Sequence, residues 1–85
     1  MTTLQLFGAY RRYAAQNPIE IELGNDATVA QLRMALKQYA QVHWPTCDPR
    51  LIDATAFSTD TDVLQDGDVI ESGSVLSALP PVSGG

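Results

Sequence analysis

The residues in this sequence best suited to chemistry are its last two, Gly84 and Gly85. Without side chains, they can pass through a narrow channel where the backbone of another protein crowds them. The α-carboxylate of Gly85 is ionised at neutral pH and inert as an electrophile, because the pKa of such a group is about 3.5. We expect it to react only after activation, for which an acyl-adenylate made from ATP is the obvious route. A slender chain end would let a partner enzyme enclose the carboxylate and exclude water.

The four residues before this pair have the composition of a stiff stalk. Pro80 and Pro81 fix φ at about −65° and favour extended geometry in the residue before each ring. Neither proline has an N–H group to donate to a β-ladder, so the chain should leave its sheet here. Val82 can fill a small apolar pocket, and Ser83 can donate a hydrogen bond. We therefore predict an extended tail over residues 80–85.

His43 and Cys47 are four residues apart, a spacing that on a helix suits a metal ion. Pro45 lies between them and breaks any helix, and the sequence has no second histidine or cysteine to complete a site. A nucleophilic pair would need a third group to orient its base, which so short a chain does not supply. We predict no metal and no hydrolytic site, and the single cysteine fits a reducing compartment.

Four acidic residues in the second half of the chain are candidates for a calcium-binding site. They are Asp60, Asp62, Asp66 and Asp68. Their spacing lacks the bidentate glutamate that occupies the twelfth position of a calcium-binding loop. Because aspartate strongly favours turns, we interpret these residues as acids of turns and loops.

The charge of the chain restricts its partners. A net charge of −5 argues against nucleic acid and anionic membranes, because both require clustered lysine and arginine. No apolar run approaches the roughly 18–20 residues that span a bilayer, and the amino terminus lacks the order of a signal peptide, so we expect a cytoplasmic protein. Arg11 and Arg12, flanked by Tyr10 and Tyr13, are either a recognition spot for a protein or solvated charges at a strand end.

Alternating hydrophobicity predicts a hairpin at the start of the chain. Leu4 and Leu6 alternate with polar neighbours and predict a strand that continues to about Tyr10. Within that strand, Gly8 permits a bend or close packing. The sequence IEIEL over residues 19–23 alternates in the same way and predicts a second strand paired with the first.

A helix is predicted over residues 28–43. Thr28 and Gln31 have the spacing of a capping box, in which each side chain bonds the other residue's free backbone N–H group. The apolar residues at helical spacing are Val29, Leu32, Ala35, Leu36, Tyr39 and Val42. Pro45 should end the helix, and Trp44 should pack against its end.

The rest of the chain completes a small α+β domain. We predict a strand over residues 52–57, a sharp turn of the hairpin kind at Asp66 and Gly67, and a strand over residues 75–79. A chain of 85 residues can bury only one core. A single main helix covering one face of a small mixed sheet describes a β-grasp domain, which we place over residues 1–79.

Several motifs together resemble the molybdopterin synthase small subunit, a family of ubiquitin-like β-grasp sulfur carriers often called MoaD. The terminal hexapeptide is the most specific of them, and the resemblance covers nearly the whole chain. The motifs are LFGAYRRYA at 6–14, TVAQLRMAL at 28–36, LQDGDV at 64–69 and PPVSGG at 80–85.

The resemblance implies a mechanism and a set of partners. A ubiquitin-activating-type adenylyltransferase would consume ATP to adenylate Gly85, and a sulfur donor would convert the adenylate to a thiocarboxylate. The tail would then enter the large synthase subunit, in a heterotetramer, and deliver sulfur to cyclic pyranopterin monophosphate. By the same resemblance Gly84 supplies a slim approach, residues 80–83 position the tail, and Arg12 lies at a partner interface. The chain itself would hold no cofactor.

One departure from the family keeps alternatives open. The chain has about twice the usual number of residues between its DGD motif and the double proline, and the extra segment ESGS at 71–74 suggests a bulge before the last strand. A carrier for another sulfur pathway, of the thiamine or cysteine type, shares the chemistry. A ubiquitin-like modifier or plain interaction module would instead form isopeptide bonds to lysine or none.

Overall fold

A computed structural model describes residues 1–81 of the chain, and these form one sheet with α1 across one face. The elements are β1 (Thr2–Leu6), a 3₁₀ helix (Gly8–Arg12), β2 (Ile19–Ile21), α1 (Val29–His43), α2 (Pro49–Asp53), β3 (Ala56–Ser58), β4 (Val63–Leu64) and β5 (Val75–Leu79). The strand order is β2-β1-β5-β3-β4, with β1 and β5 parallel at the centre and the other pairs antiparallel. The predicted ubiquitin-like β-grasp architecture is confirmed.

The amino-terminal hairpin is confirmed, but its first strand is shorter than predicted. Leu4 and Leu6 of β1 are buried, as is Ile19 opposite Leu4 on β2. The prediction that the strand continues to Tyr10 is wrong, because β1 ends at Leu6. Gly8 has a φ of +59°, a left-handed conformation that interrupts extended backbone, and the chain turns into the 3₁₀ helix.

The start of α1 has the predicted cap. Thr28 accepts a hydrogen bond from the backbone N–H of Gln31, and the Gln31 side chain accepts one from the backbone N–H of Thr28. Two of the helix's free N–H groups lie beyond the reach of this cap, and Val29 and Ala30 donate them to the backbone oxygens of Asp68 and Asp66. The start of α1 is therefore hydrogen-bonded to the turn at Asp66 and Gly67.

The buried face of α1 differs from the prediction at its carboxyl end. Its fully buried residues are Val29, Leu32, Leu36 and Ala40. Tyr39 is partly buried, but Val42 is 75% exposed, so its assignment to the apolar face is wrong. Two residues beyond Ala40, Val42 lies about 200° around the helix axis and faces away from the sheet.

The end of α1 is fixed by aromatic packing. The helix ends at His43, as the position of Pro45 predicts, and Trp44 caps it with only 4% of its surface exposed. The Trp44 ring lies 5.8 Å from Tyr10, 6.3 Å from Tyr13 and 5.3 Å from Tyr39, between ring centroids. These contacts join the helix end to the 3₁₀ helix.

The predicted strand over residues 52–57 is half wrong. Ile52 belongs to α2, a short helix that begins because Asp48 accepts a hydrogen bond from the backbone N–H of Arg50 and Pro49 occupies the first turn. The strand itself, β3, starts only at Ala56. Ile52 is fully buried, so its hydrophobicity reports a helix packed on the core rather than a strand.

The turn at Asp66 and Gly67 is present but does not join two paired strands. The backbone N–H of Asp68 bonds the oxygen of Gln65, and Val69 then forms an isolated bridge with Thr28. The turn therefore docks the chain on the start of α1, and the hairpin expected there is wrong.

The extra segment at residues 71–74 forms a turn that anchors the amino terminus. The backbone N–H of Gly73, at a φ of +82°, donates to the oxygen of Met1. Ser74 bonds Glu71 across the turn through its backbone N–H and its hydroxyl, and accepts from the N–H of Thr3. The segment leads directly into β5 beside β1, at the end of the sheet opposite the tail.

A buried hydrogen bond links Tyr10 of the 3₁₀ helix to Thr55, the residue before β3, and it gives a testable pH dependence. Thr55 donates its hydroxyl to the oxygen of Leu51, so the hydroxyl of Tyr10 is the donor to Thr55 Oγ1. Burial raises the pKa of Tyr10 to about 12, although the bond to Thr55 acts in the other direction.

We expect the free energy of unfolding to fall as the pH rises from 10 towards 12. In that range the unfolded chain releases the Tyr10 proton while the folded chain retains it, which favours unfolding. Tyr10→Phe should lower the free energy of unfolding by about 1 kcal/mol below pH 10, because the hydrogen bond is lost. The variant should also show a smaller fall in the free energy of unfolding above pH 10. Urea unfolding of both proteins on either side of pH 10 measures this. If the free energy of unfolding fell equally with pH in both proteins, Tyr10 would not be the group that causes the fall.

Candidate functional site

The tail begins at the centre of the sheet. β5 lies between β1 and β3, with Ala78 opposite Leu6 and Leu79 opposite Ala56. Because β5 is hydrogen-bonded to a strand on each side, its direction is fixed, and so is the direction of the backbone where it reaches Pro80. Pro80 is partly buried and Pro81 is exposed.

The remaining predicted tail residues lie outside the described part of the chain. They are Val82, Ser83, Gly84 and Gly85. Their assigned roles, with Gly85 as the reacting residue, therefore stay predictions. What the structure supplies is the geometry of the tail's origin.

Gly8 lies directly beneath the ring of Pro80. A Cβ atom placed on Gly8 would lie 2.9 Å from Cγ and 3.6 Å from Cδ of Pro80, so only a glycine admits the ring at this distance. The sequence signalled this position weakly, since a glycine within an apolar run marks either a bend or a close approach. Here it marks both.

Apolar side chains border the origin of the tail. Continuing the register of β1 and β5 places Phe7 beside Leu79, and the two are 41% and 39% exposed. Val75, on the same face at the start of β5, is 53% exposed. Exposed apolar groups such as Phe7 and Leu79, at the origin of the predicted tail, are suited to a protein interface. Sequence reasoning did not single out Phe7 or Leu79, because apolar residues in predicted strands are normally assigned to the core.

Arg12 lies on the 3₁₀ helix rather than at the end of β1, and it is exposed together with Arg11. The other cations pair with carboxylates: Arg33 with Asp66, Lys37 with Asp53, and Arg50 with Asp48. Within residues 1–81, Arg11 and Arg12 form no ion pair. Two cations without an ion-pair partner in this range therefore lie on the helix whose first residue contacts Pro80. Tyr10, in contrast, belongs to the core and not to a recognition spot.

His43 and Cys47, the remaining candidate residues, pack against other side chains of the domain. His43 is exposed and stacks on Tyr39, with 4.2 Å between ring centroids. Cys47 is half-buried, and burial raises the pKa of its thiol, with a smaller contribution from Asp48. A raised pKa makes the thiol a poor nucleophile at neutral pH. In the described part of the chain, no three His, Cys, Asp or Glu side chains are grouped to hold a metal ion.

Three of the four acidic residues predicted to belong to turns have partners in the described structure, namely Asp62, Asp66 and Asp68. Asp62 and Thr59 close one turn, through the backbone N–H of Asp62 and the hydroxyl of Thr59. Asp66 binds Arg33 with 2.8 Å between Oδ1 and the guanidinium, and Asp68 accepts from the N–H of Gln65. These contacts agree with structural roles in turns.

No helix within residues 1–81 combines the length and the apolar composition needed to cross a bilayer.

Comparisons with known proteins agree with this fold. The sequence matches the ThiS family over residues 4–85. A molybdopterin synthase sulfur carrier subunit from Synechococcus elongatus is 32% identical over 85 residues, covering 98% of this chain and 94% of that protein. The crystal structure of SAMP1 from Haloferax volcanii aligns with a TM-score of 0.71 at 24% identity, over 99% of this chain and 98% of that one. At that identity the structural likeness concerns the fold alone.

Proposed function

Since this chain belongs to the ThiS family, we propose that it is a sulfur carrier that bears sulfur as a thiocarboxylate on Gly85. The observation that carries the proposal is a proline-started tail, ending in two glycines, that continues a central strand of a β-grasp sheet. The family match runs to the last residue, so the tail belongs to the shared region. The folded body serves to present that tail to other proteins.

In the first step a carboxylate oxygen of Gly85 attacks the α-phosphorus of ATP, and pyrophosphate leaves. A ubiquitin-activating-type adenylyltransferase binds the ATP, so this chain needs no cofactor of its own. In the second step a sulfur nucleophile at the oxidation level of sulfide attacks the acyl carbon, and AMP leaves. The product is a thiocarboxylate. Gly84 and Gly85 contribute by leaving room for the enzyme's own groups around the reacting carbon.

The tail is long enough for this task. Six residues, 80–85, reach at most about 20 Å when extended, which is sufficient to enter an enzyme while the body stays outside. Pro80 and Pro81 limit the number of conformations available to the chain before it binds, which lowers the entropy lost on entering a channel. Val82 and Ser83 then supply one apolar and one hydrogen-bonding contact.

The pathway we propose is molybdenum cofactor biosynthesis. The thiocarboxylate would enter the large subunit of molybdopterin synthase and deliver sulfur to cyclic pyranopterin monophosphate, in a heterotetramer of two carriers and two large subunits. The name of the relative at 32% identity supports this pathway, and so does the ending PPVSGG. The exposed Phe7 and Leu79 would face the partner, since they border the origin of the tail. Arg12 would join them from the 3₁₀ helix that begins at Gly8.

Reconstitution with the large subunit tests this pathway. Thiocarboxylated carrier, the large subunit and cyclic pyranopterin monophosphate should together form molybdopterin, whereas the carboxylate form of the same carrier should form none. Transfer of sulfur to a thiazole-forming enzyme instead would assign the chain to the thiamine pathway. Isopeptide conjugates to lysine would identify a protein modifier.

A further inference from the structure

The contact between Gly8 and Pro80 joins two parts of the chain that are distant in sequence and close to the proposed chemistry. Pro80 is the first residue after β5, and Gly8 is the first residue of the 3₁₀ helix. The proline ring is partly buried on the glycine, whereas Pro81, the next residue, is exposed. The contact therefore lies at the end of β5, where the predicted tail begins.

Gly8 belongs to a rigid part of the molecule. Just before it, the side-chain amide of Asn17 accepts from the N–H of Leu6 and donates to the Leu6 oxygen, each at 2.9 Å. Just after it, Tyr10 is fully buried and bonds Thr55. With both flanks held, Gly8 cannot move aside to accommodate the proline.

The residue at position 8 must be glycine for two separate reasons. Its φ of +59° is a left-handed conformation that residues with a Cβ atom adopt at a cost. Its surface is also covered by Pro80, because an added Cβ would meet Cγ of the ring at 2.9 Å. Gly73 shares only the first of these reasons: its φ is +82°, but no atom lies within 4 Å of the corresponding position.

We infer that Gly8 is a positioning residue for the carrier's reaction: it is the platform on which Pro80 packs, and so it sets the direction in which the reactive end leaves the sheet. The inference rests on the proposed function for its consequence, but the packing itself does not depend on it. A ring pressed against a fixed surface has one orientation, and proline transmits that orientation because its φ is restricted. A methyl group at Gly8 would lift the ring and redirect the residues that follow.

The matched pair Gly8→Ala and Gly73→Ala separates this role from backbone strain. Both variants place an alanine at positive φ, but only Gly8→Ala collides with Pro80. In ATP–pyrophosphate exchange with the cognate adenylyltransferase, Gly8→Ala should lower kcat by about tenfold or more, since displacing a reacting group by about 1 Å can cost about a hundredfold. Its KM should stay within about twofold of the wild-type value, because the surface of the body is unchanged. Gly73→Ala should change neither constant.

Pro80→Ala supplies a test for coupling. Removing the ring removes the atoms that the methyl group added by Gly8→Ala would meet, so Gly8→Ala should lower kcat much less in a Pro80→Ala background than in the wild type. Equal losses in the two backgrounds would overturn the inference, as would a Gly8→Ala kcat equal to that of Gly73→Ala.

A measurement without enzyme decides whether the platform exists. The ring-carbon NMR signals of Pro80 and Pro81 should shift in Gly8→Ala and stay in place in Gly73→Ala. Unchanged signals in Gly8→Ala would overturn the inference even if the proposed function holds. If the wild-type chain is not adenylated at all, the proposed function fails, while these shifts still support the packing of Pro80 on Gly8.

Discussion

Deletion of Gly85 is expected to lower adenylation by more than about a hundredfold and to leave the free energy of unfolding unchanged. The deletion withdraws the carboxylate by about 3.5 Å, far more than the displacement of about 1 Å that can cost a hundredfold. The free energy of unfolding should stay unchanged because, within residues 1–81, the last residue of the buried core is Ala78 in β5. A chain end beyond the core contributes little to folding.

Two measurements on the same protein check this outcome. ATP–pyrophosphate exchange reports adenylation, and urea unfolding reports stability. Appending one glycine after Gly85 is the matched control for position, since it retains every original residue but moves the carboxylate outward, and it should also impair the reaction. Normal adenylation by the shortened chain would contradict the proposed role of Gly85. Unfolding of the shortened chain would contradict the expectation that the last residue contributes little to stability.

Leu36→Ala is expected to lower the free energy of unfolding by about 2–5 kcal/mol. Leu36 is fully buried on the face of α1 that meets the sheet, so truncation loses burial and leaves a cavity. Because small domains have a total stability of about 5–15 kcal/mol, this is a large fraction of the whole. Urea unfolding with a common m-value measures the difference.

Val42→Ala is the matched control on the same helix. Val42 is 75% exposed, so its truncation should change stability by less than about 0.5 kcal/mol. Comparable losses at positions 36 and 42 would mean that the helix presents a different face to the sheet from the one described.

The elements predicted correctly are those specified by neighbouring residues. The capping box of Thr28 and Gln31 and the termination before Pro45 are local signals, and both ends of α1 were predicted to within a residue. β5 was predicted at its observed bounds because prolines follow it directly. The alternation in β1 and β2 sufficed for a hairpin, since one face of each strand is buried and the other is not.

The elements that were mispredicted depend on contacts between distant residues. Tyr10 leaves the strand direction because its ring is buried against Trp44 and its hydroxyl bonds Thr55, 45 positions away. Neither partner is apparent from the sequence around Tyr10. α2 is a different case, because Asp48 followed by Pro49 is a recognisable helix start that the apolar run after it obscured.

The candidate site was predicted in part. The prolines located the origin of the tail, because their restricted φ and missing N–H groups act locally. The packing of Pro80 on Gly8 could not be predicted, because these two residues meet only after β1 and β5 pair in parallel. Arg12 was predicted at a partner interface, which stays a prediction, and the 3₁₀ helix that carries this exposed residue was not foreseen.

Mass spectrometry of the carboxyl-terminal peptide decides whether Gly85 becomes a thiocarboxylate, on which the proposed function depends. After incubation with ATP, the adenylyltransferase and a sulfur donor, we expect one oxygen of the Gly85 carboxyl to be replaced by sulfur, and omission of any component to prevent this. Cys47→Ala should gain the same sulfur, which distinguishes the carboxyl from the chain's only thiol. An unaltered carboxyl with sulfur found on Cys47, or with none found, would contradict the proposed function.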